Sequence, residues 1–215
     1  MFDNKNTKND IKYAVSLTEE QKEAKRKIID GTFVFILGKP GTSKTFVAVS
    51  TALDLLFKKQ VDKIVITRPT VTTEDIGFLP GTLEEKMEPW LVPIRSNMRT
   101  FYNNPQKLKK MEEDEQIEIV SLSHFRGRTF NNCICIIDEF QNLDKSQLRM
   151  AIGRLGKGSI MIFCGDESQI DLKQYYNSAI NELEKIKDNK HITIIKLTEN
   201  HRHPAVEEVL DLLGE

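Results

Sequence analysis

The residues between 38 and 45 are the part of this chain whose types and spacing point most clearly to chemistry. They follow the apolar run Phe33–Leu37 and precede a helix-like stretch that ends near Phe57. The backbone N–H groups of such a loop, with the N-terminus of the following helix, can hold a polyphosphate. We expect Lys44 to reach the β- and γ-phosphates and the Thr45 hydroxyl to bind Mg²⁺. The predicted phosphate-binding residues are Gly38, Lys39, Pro40, Gly41, Thr42, Ser43, Lys44 and Thr45.

Ser43 stands directly before the lysine, where a phosphate-binding loop usually has glycine. If the backbone has a positive φ there, a serine costs about 1–2 kcal/mol. An incidental turn before a helix is the alternative interpretation. The strand–loop–helix order favours a phosphate loop, and with it a nucleoside triphosphate as the ligand.

A pair of carboxylates, Asp138 and Glu139, directly follows another apolar run, 134–137. Such a pair commonly accompanies a phosphate loop. Asp138 would hold Mg²⁺, directly or through water, and Glu139 would orient or deprotonate the attacking water. The alternative is an exposed acidic turn that leads into a helix over 144–155.

Polar residues also follow two later predicted strands. Gly165 and Asp166 are followed by Gln169, whose amide could lie near the γ-phosphate or the water. A turn stabilised by the aspartate is the alternative. Nearer the C-terminus, Arg202 is a cation suited to neutralise the charge that develops during phosphoryl transfer.

Gln21 and the histidines beside Arg202 each allow two interpretations. Gln21 would complete a helix capping box with Thr18, but an amide upstream of a nucleotide site could also contact adenine. Local chemistry favours the cap. A metal site at His201 and His203 is disfavoured because no third ligand is evident.

The elements that must position these residues alternate between strand-like and helix-like runs. Continuous apolar runs typical of buried parallel strands occur at Phe33–Leu37, 64–67, 117–120, 134–137, 160–164 and 192–197. Right-handed crossovers turn this order into a parallel sheet with helices on both faces, and ligands bind beyond the carboxyl ends of the strands. The sequence therefore predicts an α/β fold. The charged stretch 103–115 is interpreted as a surface excursion without chemistry.

Composition fits one domain of this class. The chain has 215 residues and a net charge of −1, so a nucleic-acid surface would have to be a local patch. We expect a flexible tail over 1–12 and one domain over 13–215. Three cysteines, Cys133, Cys135 and Cys164, lie in apolar runs, which favours buried thiols in a reducing cytoplasm. No membrane span or signal peptide is evident.

Several blocks of the chain resemble the PhoH-like family, which is related to the ATPase core of superfamily-one helicases. The resemblance covers residues 18–209, and the family more often has alanine at Phe140 and glycine at Ser43. The blocks that carry it are Ile66-Thr67-Arg68-Pro69, Gly77-Phe78-Leu79-Pro80-Gly81, Glu85-Lys86-Met87-Glu88-Pro89-Trp90, Phe125-Arg126-Gly127-Arg128-Thr129-Phe130, Asp138-Glu139-Phe140-Gln141-Asn142, Gly165-Asp166 and Gln169-Ile170-Asp171.

The resemblance implies a single RecA-like P-loop NTPase domain that hydrolyses ATP with Mg²⁺, with Gln21 at the adenine and Arg202 at the γ-phosphate. It also implies that RNA or single-stranded DNA is a partner, with RNA favoured. A second motor domain and the ribonuclease domain of some relatives are not expected in this chain. We therefore expect a ring-like homo-oligomer, a hexamer being one form, in which Arg154 or Arg202 reaches a neighbouring site.

Local clusters of cations mark the candidate nucleic-acid surface. The candidates are Arg68, His124, Arg126 and Arg128, with Lys145, Arg149 and Arg154 beyond the acidic pair. Internal salt bridges or nucleotide contacts are the alternative for Arg126 and Arg128. Phe125 and Phe130 could stack on bases but are more often core residues.

Three functions are compatible with these motifs. The leading interpretation is a Mg²⁺-dependent ATPase, and a possible helicase, coupled to RNA or single-stranded DNA. The second is a nucleotide-gated oligomeric binding or assembly protein with slow hydrolysis and no unwinding, suggested by Ser43 and by the expectation that a second motor domain is absent. A small-molecule kinase is least favoured, because the downstream motifs fit attack by water.

Overall fold

The computed structural model describes residues 15–69, 83–172 and 175–213, and gives the backbone alone for 83–91, 207, 211 and 213. The predicted tail over 1–12 and the family block 77–81 lie outside the described residues. The tail and the domain boundary at 13 therefore stay predictions.

Helices and strands alternate along most of the described chain, with two consecutive helices before the third strand and no α-helix between the third and fourth strands. The helices are α1 (Glu19–Asp30), α2 (Lys44–Phe57), α3 (Leu83–Phe101), α4 (Pro105–Glu113), α5 (Lys145–Ile152), α6 (Leu183–Ile186) and α7 (Pro204–Leu213). The strands are β1 (Phe33–Leu37), β2 (Lys63–Thr67), β3 (Ile117–Ile119), β4 (Cys133–Asp138), β5 (Ile160–Gly165) and β6 (Ile192–Lys196). Each strand coincides with a predicted apolar run to within one residue at either end.

The strands form one parallel sheet in the order β3-β2-β4-β5-β1-β6. Phe33 of β1 pairs with Met161 of β5 on one side and with Ile192 of β6 on the other. In β4, Asp138 is level with Cys164 of β5. The predicted parallel α/β class is confirmed, and the carboxyl ends of β1, β4 and β5 lie side by side.

Alternate residues of the central strands enter two apolar cores, one on each face of the sheet. Val34 and Ile36 pack in the core that contains buried residues of α1 to α4. Phe35 belongs to the opposite core, with buried residues of α5 and α6. There its ring stacks on Phe163 with 4.5 Å between the centroids. Helices therefore cover both faces, as predicted.

The charged stretch 103–115, expected to be a surface excursion, is mostly exposed but forms a helix that is attached to the core. It contains α4, which begins at Pro105 after the side chain of Asn104 caps it by accepting from the Lys107 N–H at 3.0 Å. Leu108 and Met111 lie on one face of this helix and are buried. Two apolar residues at helical spacing are enough to attach this helix to the core. Their spacing was hard to recognise among so many charged residues.

The three cysteines agree with the expectation of buried thiols. Cys133, Cys135 and Cys164 are free and buried, and burial raises the pKa of the Cys135 thiol. None of the helices in the described ranges combines the length and the apolar character that a bilayer crossing requires.

Candidate active site

The loop between β1 and α2 closes around the ammonium group of Lys44. Its Nζ donates to the carbonyl oxygens of Gly38 at 2.6 Å and Lys39 at 3.0 Å. Thr42 Oγ1 also donates to the Lys39 oxygen, at 2.8 Å. A Cβ on Gly38 would lie 2.6 Å from the carbonyl oxygen of Leu197, so no side chain fits there. This compact loop lies at the carboxyl end of β1, where the sequence predicted a phosphate site.

Ser43 has φ 60° and ψ 27°. Its backbone is thus in the left-handed region, the conformation in which the sequence analysis expected a serine to be strained. A non-glycine residue in this conformation costs about 1–2 kcal/mol. The Ser43 hydroxyl accepts a 2.8 Å hydrogen bond from Nε2 of Gln21, which a glycine could not do. One hydrogen bond contributes about 0.5–1.5 kcal/mol, so it offsets much of the strain.

Gln21 therefore has two structural roles. Its Oε1 accepts from the Thr18 N–H at 3.1 Å and its own N–H donates to Thr18 Oγ1, which forms the capping box. Its Nε2 contacts Ser43 and lies 3.2 Å from Nε2 of His201. The capping interpretation is confirmed, and the adenine contact stays a prediction.

The start of α2 and the end of β4 meet in one hydrogen bond. Thr45 Oγ1 donates to Asp138 Oδ1 at 2.7 Å. Asp138 is 5% exposed, and burial raises the pKa of its carboxyl from the usual 3.8 to about 6. The Thr45 hydrogen bond opposes this rise in the pKa, the Glu139 charge adds to it, and the charges of Arg68 and Lys44 lower it.

These two oxygen atoms suit a magnesium ion. Mg²⁺ in proteins usually takes one or two carboxylates together with phosphate oxygens and water. A cation beside Asp138 would favour the charged carboxylate that burial disfavours. Within residues 15–69, 83–172 and 175–213, no group of three or more His, Cys, Asp and Glu side chains could hold a metal by itself. A site at Thr45 and Asp138 would therefore share its ion with a ligand.

Both carboxylate oxygens of Glu139 have partners. Arg68 Nη2 lies 3.5 Å from Oε1, and Gln141 Nε2 donates to Oε2 at 2.7 Å. The Glu139 backbone has φ 55°, a left-handed conformation that costs a non-glycine residue about 1–3 kcal/mol and is typical of functional sites. The carboxylate is therefore held in a defined place directly after β4.

Gln141 is a site residue that the sequence analysis did not single out. It is 1% exposed, and besides Glu139 its Nε2 donates to the carbonyl oxygen of Gln169 at 3.0 Å. Its Oε1 accepts from the Asp166 N–H at 3.2 Å. Gln141 thus connects Glu139 to the loop after β5. It stood within the family block 138–142, but no spacing rule indicates a buried amide between two loops.

A cavity of about 660 Å³ opens over the phosphate loop. The alkyl chain of Arg202 packs on the loop, since a Cβ on Gly41 would lie 2.7 Å from Arg202 Cγ. The structure thus brings together most of the predicted site residues on the cavity wall: Gln21, Pro40, Gly41, Ser43, Lys44, Thr45, Glu139, Gln169 and Arg202. Gly38, Lys39, Thr42 and Asp138 are linked to this wall by the hydrogen bonds given above.

Arg128 was predicted as a nucleic-acid contact, but it makes an internal ion pair. Its guanidinium donates twice to Glu118 on β3, at 2.6 and 2.7 Å, and lies 4.9 Å from the centre of the Phe130 ring. The hydrogen bond from Arg128 holds the pKa of the Glu118 carboxyl below its usual range. Phe125 and Phe130 are buried in the core. The salt-bridge alternative therefore describes Arg128.

The other predicted cations have different surroundings. Arg68 lies beside Glu139, whereas His124 and Arg126 are exposed on the segment after β3. The carbonyl oxygen of Arg154 accepts from the Phe130 N–H at 2.9 Å, just before β4 begins. Arg154 therefore lies at the amino ends of the strands, whereas its own phosphate loop lies at their carboxyl ends. Its reach into a neighbouring subunit stays a prediction.

The family model for "PhoH-like protein" matches residues 14–214. A PhoH-like protein of Mycobacterium leprae is 37% identical over 203 residues, which are 92% of this chain and 58% of that protein. One of Synechocystis is 36% identical over 198 residues, 90% of this chain and 60% of that protein. The chain thus spans less than two thirds of the length of these two relatives.

The fold itself is shared with a bacteriophage protein. The large terminase of a thermophilic bacteriophage gives a TM-score of 0.61 at 9% identity, covering 94% of this chain and 51% of the terminase. The complex of that terminase with ADP gives 0.56 at 10% identity, with 93% and 50% covered. This likeness shows a RecA-like P-loop domain. Because the family model spans nearly all of the sequence and curated relatives exceed one third identity, the chain belongs to the PhoH-like family.

Proposed function

We propose that this chain binds ATP with Mg²⁺ and hydrolyses the bond between the β- and γ-phosphates. The observation that carries the proposal is the 2.7 Å hydrogen bond between Thr45 and Asp138, beside a cavity that Lys44 and Glu139 line. It joins two distant stretches of chain where a single ion could contact both side chains. Binding of ADP by the bacteriophage terminase, which has the same fold, supports a nucleotide ligand here.

Phosphate binding would fall to the loop and to Lys44. Backbone N–H groups at a helix N-terminus favour an anion, and the lysine adds a point charge. Lys44 now donates to the carbonyl oxygens of Gly38 and Lys39, and it would exchange these bonds for phosphate oxygens. Thr45 and Asp138 would hold Mg²⁺, which supplies neutralisation of phosphate charge when bound.

Water activation would fall to Glu139, whose carboxylate accepts a hydrogen bond from the buried amide of Gln141. As a general base or orienting group it can contribute about 10²–10⁴ in rate. Arg202 would neutralise the charge that develops on the γ-phosphate. Gln169, on the same wall, would contact the phosphate or the water.

Phosphate release from ATP by purified variants tests this proposal. Lys44→Ala and Glu139→Gln should each lower kcat at least about a hundredfold. Lys44→Ala should also weaken binding of a fluorescent nucleotide, whereas Glu139→Gln should not. Lys157→Ala is the matched control, because Lys157 is exposed and lies at the amino ends of the strands, away from the phosphate loop. Turnover that survives both active-site substitutions would refute the proposed site.

Coupling of this ATPase to single-stranded nucleic acid is the second part of the proposal. A groove of about 380 Å³ beside the active site is lined by Arg68 and Arg126, with the hydroxyls of Ser121 and Ser123. Cations and hydroxyls are the side chains that contact the phosphate backbone. No carboxylate is among the described residues of its wall. The family resemblance favours RNA over DNA.

Fluorescence anisotropy of labelled oligo(U) and oligo(dT) over a series of salt concentrations tests the groove. Arg126→Ala should weaken binding and reduce the slope of log affinity against log salt by about one. Lys157→Ala should reproduce the wild-type curve. If Arg126→Ala had the same affinity and the same salt slope as the wild type, the groove would not be the nucleic-acid site.

A nucleotide-gated assembly protein with slow hydrolysis is the second candidate function. One face of α7 exposes Val206, Val209 and Leu212, whose exposed fractions are 43, 53 and 82%. Contiguous exposed apolar residues suit a subunit contact, and a ring-like homo-oligomer would let Arg202 or Arg154 reach a neighbouring site.

Sedimentation velocity with ATP and Mg²⁺ should show an oligomer that Leu212→Glu dissociates. A wild type that stays monomeric would refute the oligomer, and turnover indifferent to every oligonucleotide would favour this second function.

A further inference from the structure

Arg68 lies between the groove and the nucleotide cavity. It directly follows β2, which neighbours β4 in the sheet with Thr67 level with Ile137. Its side chain lines the groove, and its Nη2 lies 3.5 Å from Oε1 of Glu139, which lines the cavity. Both side chains are 27% exposed. One ion pair therefore joins the two proposed binding surfaces.

The two partners of Glu139 differ in how easily their contacts with its carboxylate can be broken. Gln141 is buried and donates to Glu139 at 2.7 Å, while its other hydrogen bonds fix it to the loop after β5. Arg68 is partly exposed and its contact is longer than the 2.7–2.9 Å typical of an N⁺–H···O⁻ hydrogen bond. Partly exposed ion pairs contribute little, on the order of 0.2–1 kcal/mol. The Arg68 contact is the one that a competing anion can displace.

We propose that Arg68 is a positioning residue that holds Glu139 while the groove is empty and turns to a nucleic-acid phosphate when the groove fills. The guanidinium fork matches phosphate geometry, so in this exchange bidentate hydrogen bonds to a phosphate replace the contact with Glu139. Release of Oε1 leaves lone pairs of Glu139 available for a water molecule. This inference rests on the proposed function and names how nucleic acid would stimulate hydrolysis at that site.

Competition between Glu139 and the polymer for Arg68 predicts an effect on polymer affinity that can be measured without nucleotide. If Glu139 and the phosphate chain compete for Arg68, removing the Glu139 charge must strengthen binding of the polymer. Glu139→Gln should therefore raise the affinity for oligo(U) about three- to fivefold. The same substitution in an Arg68→Ala background should have no such effect. Glu167→Gln, which removes an exposed carboxylate from the loop after β5, controls for the general loss of negative charge.

A double-mutant cycle of oligo(U) affinity, measured by fluorescence anisotropy without ATP, decides the inference. The inference is overturned if Glu139→Gln changes the affinity equally in both backgrounds, if it has no effect, or if oligo(U) does not bind. Thermal melts verify folding, and Arg68→Gln replaces Arg68→Ala in the cycle should the latter be unfolded.

ATP turnover supplies a readout that a merely structural role would not produce. Arg68→Ala should raise turnover without oligo(U) several-fold and bring the ratio of stimulated to unstimulated turnover close to one, and Arg68→Lys should fall between. A lower unstimulated turnover, or an unchanged ratio, would overturn the inference. A chain that completes the binding cycle as expected yet never hydrolyses ATP would refute the proposed ATPase and leave the shared role of Arg68 standing.

Discussion

The buried carboxyl of Asp138 should make the stability of the nucleotide-free protein depend on pH. Its pKa is about 6 in the folded protein and 3.8 in the absence of burial. Between these values the folded protein holds about one proton more than the unfolded chain, so the free energy of unfolding falls as the pH rises. About two pH units at 1.36 kcal/mol each amount to about 3 kcal/mol. This contribution is complete below the lower pKa and is lost as the pH rises through about 6.

Asp138→Asn removes the titration and keeps an oxygen that can accept the hydrogen bond from Thr45. Relative to the wild type, the variant should gain about 3 kcal/mol of stability between about pH 4 and pH 7. Urea unfolding followed by circular dichroism at closely spaced pH values, without nucleotide or Mg²⁺, measures this difference. Asp188→Asn, at an exposed position, controls for the loss of a carboxylate and should follow the wild-type curve.

Parallel curves for the wild type and Asp138→Asn would refute this reasoning, because the carboxyl would then titrate alike in the folded and unfolded chains. A ligand gives a second check on the same group. Mg²⁺ needs the charged carboxylate, so the stabilisation of the wild type by Mg²⁺ and ATP should grow as the pH rises through about 6. The same ligand effect should be nearly flat for Asp138→Asn once the titration of ATP itself is subtracted.

Substitutions at three further positions test the described contacts. Gln141→Met should lower kcat about ten- to hundredfold with little change in KM, because a hydrogen bond to a charged group is lost; a fall in nucleotide affinity alone, seen in steady-state kinetics, would contradict this. Ser43→Ala should cost about 1 kcal/mol of unfolding free energy, whereas Ser43→Gly should stay within about 1 kcal/mol of the wild type because relief of strain offsets the lost bond to Gln21. Urea unfolding that ranks the two in the opposite order would refute this. Arg128→Ala should cost about 0.5–1 kcal/mol through loss of its pair with Glu118 and change oligo(U) affinity less than about twofold, a larger affinity loss being the contrary result.

Much of the fold and the phosphate loop could be predicted because both depend on local patterns. The buried strands are continuous apolar runs, and the loop is defined by glycine, lysine and threonine at fixed offsets after one of them. The parallel sheet then follows from the alternation of strand and helix. The meeting of Thr45 with Asp138 needed only the rule that ligand sites form at the carboxyl ends of parallel strands.

The remaining features depend on which strands become neighbours, and no local pattern specifies this. Glu118 can pair with Arg128 because it lies on β3, at the edge of the sheet. Gln141 acquires its role only when the loop after β5 lies against it. Gln21 carried two local interpretations, and packing of α1 against the phosphate loop let one side chain make the cap and the Ser43 contact together.

The position of β6 has a consequence for when the phosphate loop can complete its fold. The strand that precedes the phosphate loop is completed on one side by β6, and the His201 N–H then donates to the carbonyl oxygen of Gly41. Strand pairing between residues so far apart in the chain forms slowly and late. During synthesis, the phosphate loop, the acidic pair and β5 leave the ribosome before β6, and until β6 follows them one edge of β1 stays unpaired. A nascent chain should therefore acquire affinity for nucleotide abruptly, after residues near 202 have left the exit tunnel.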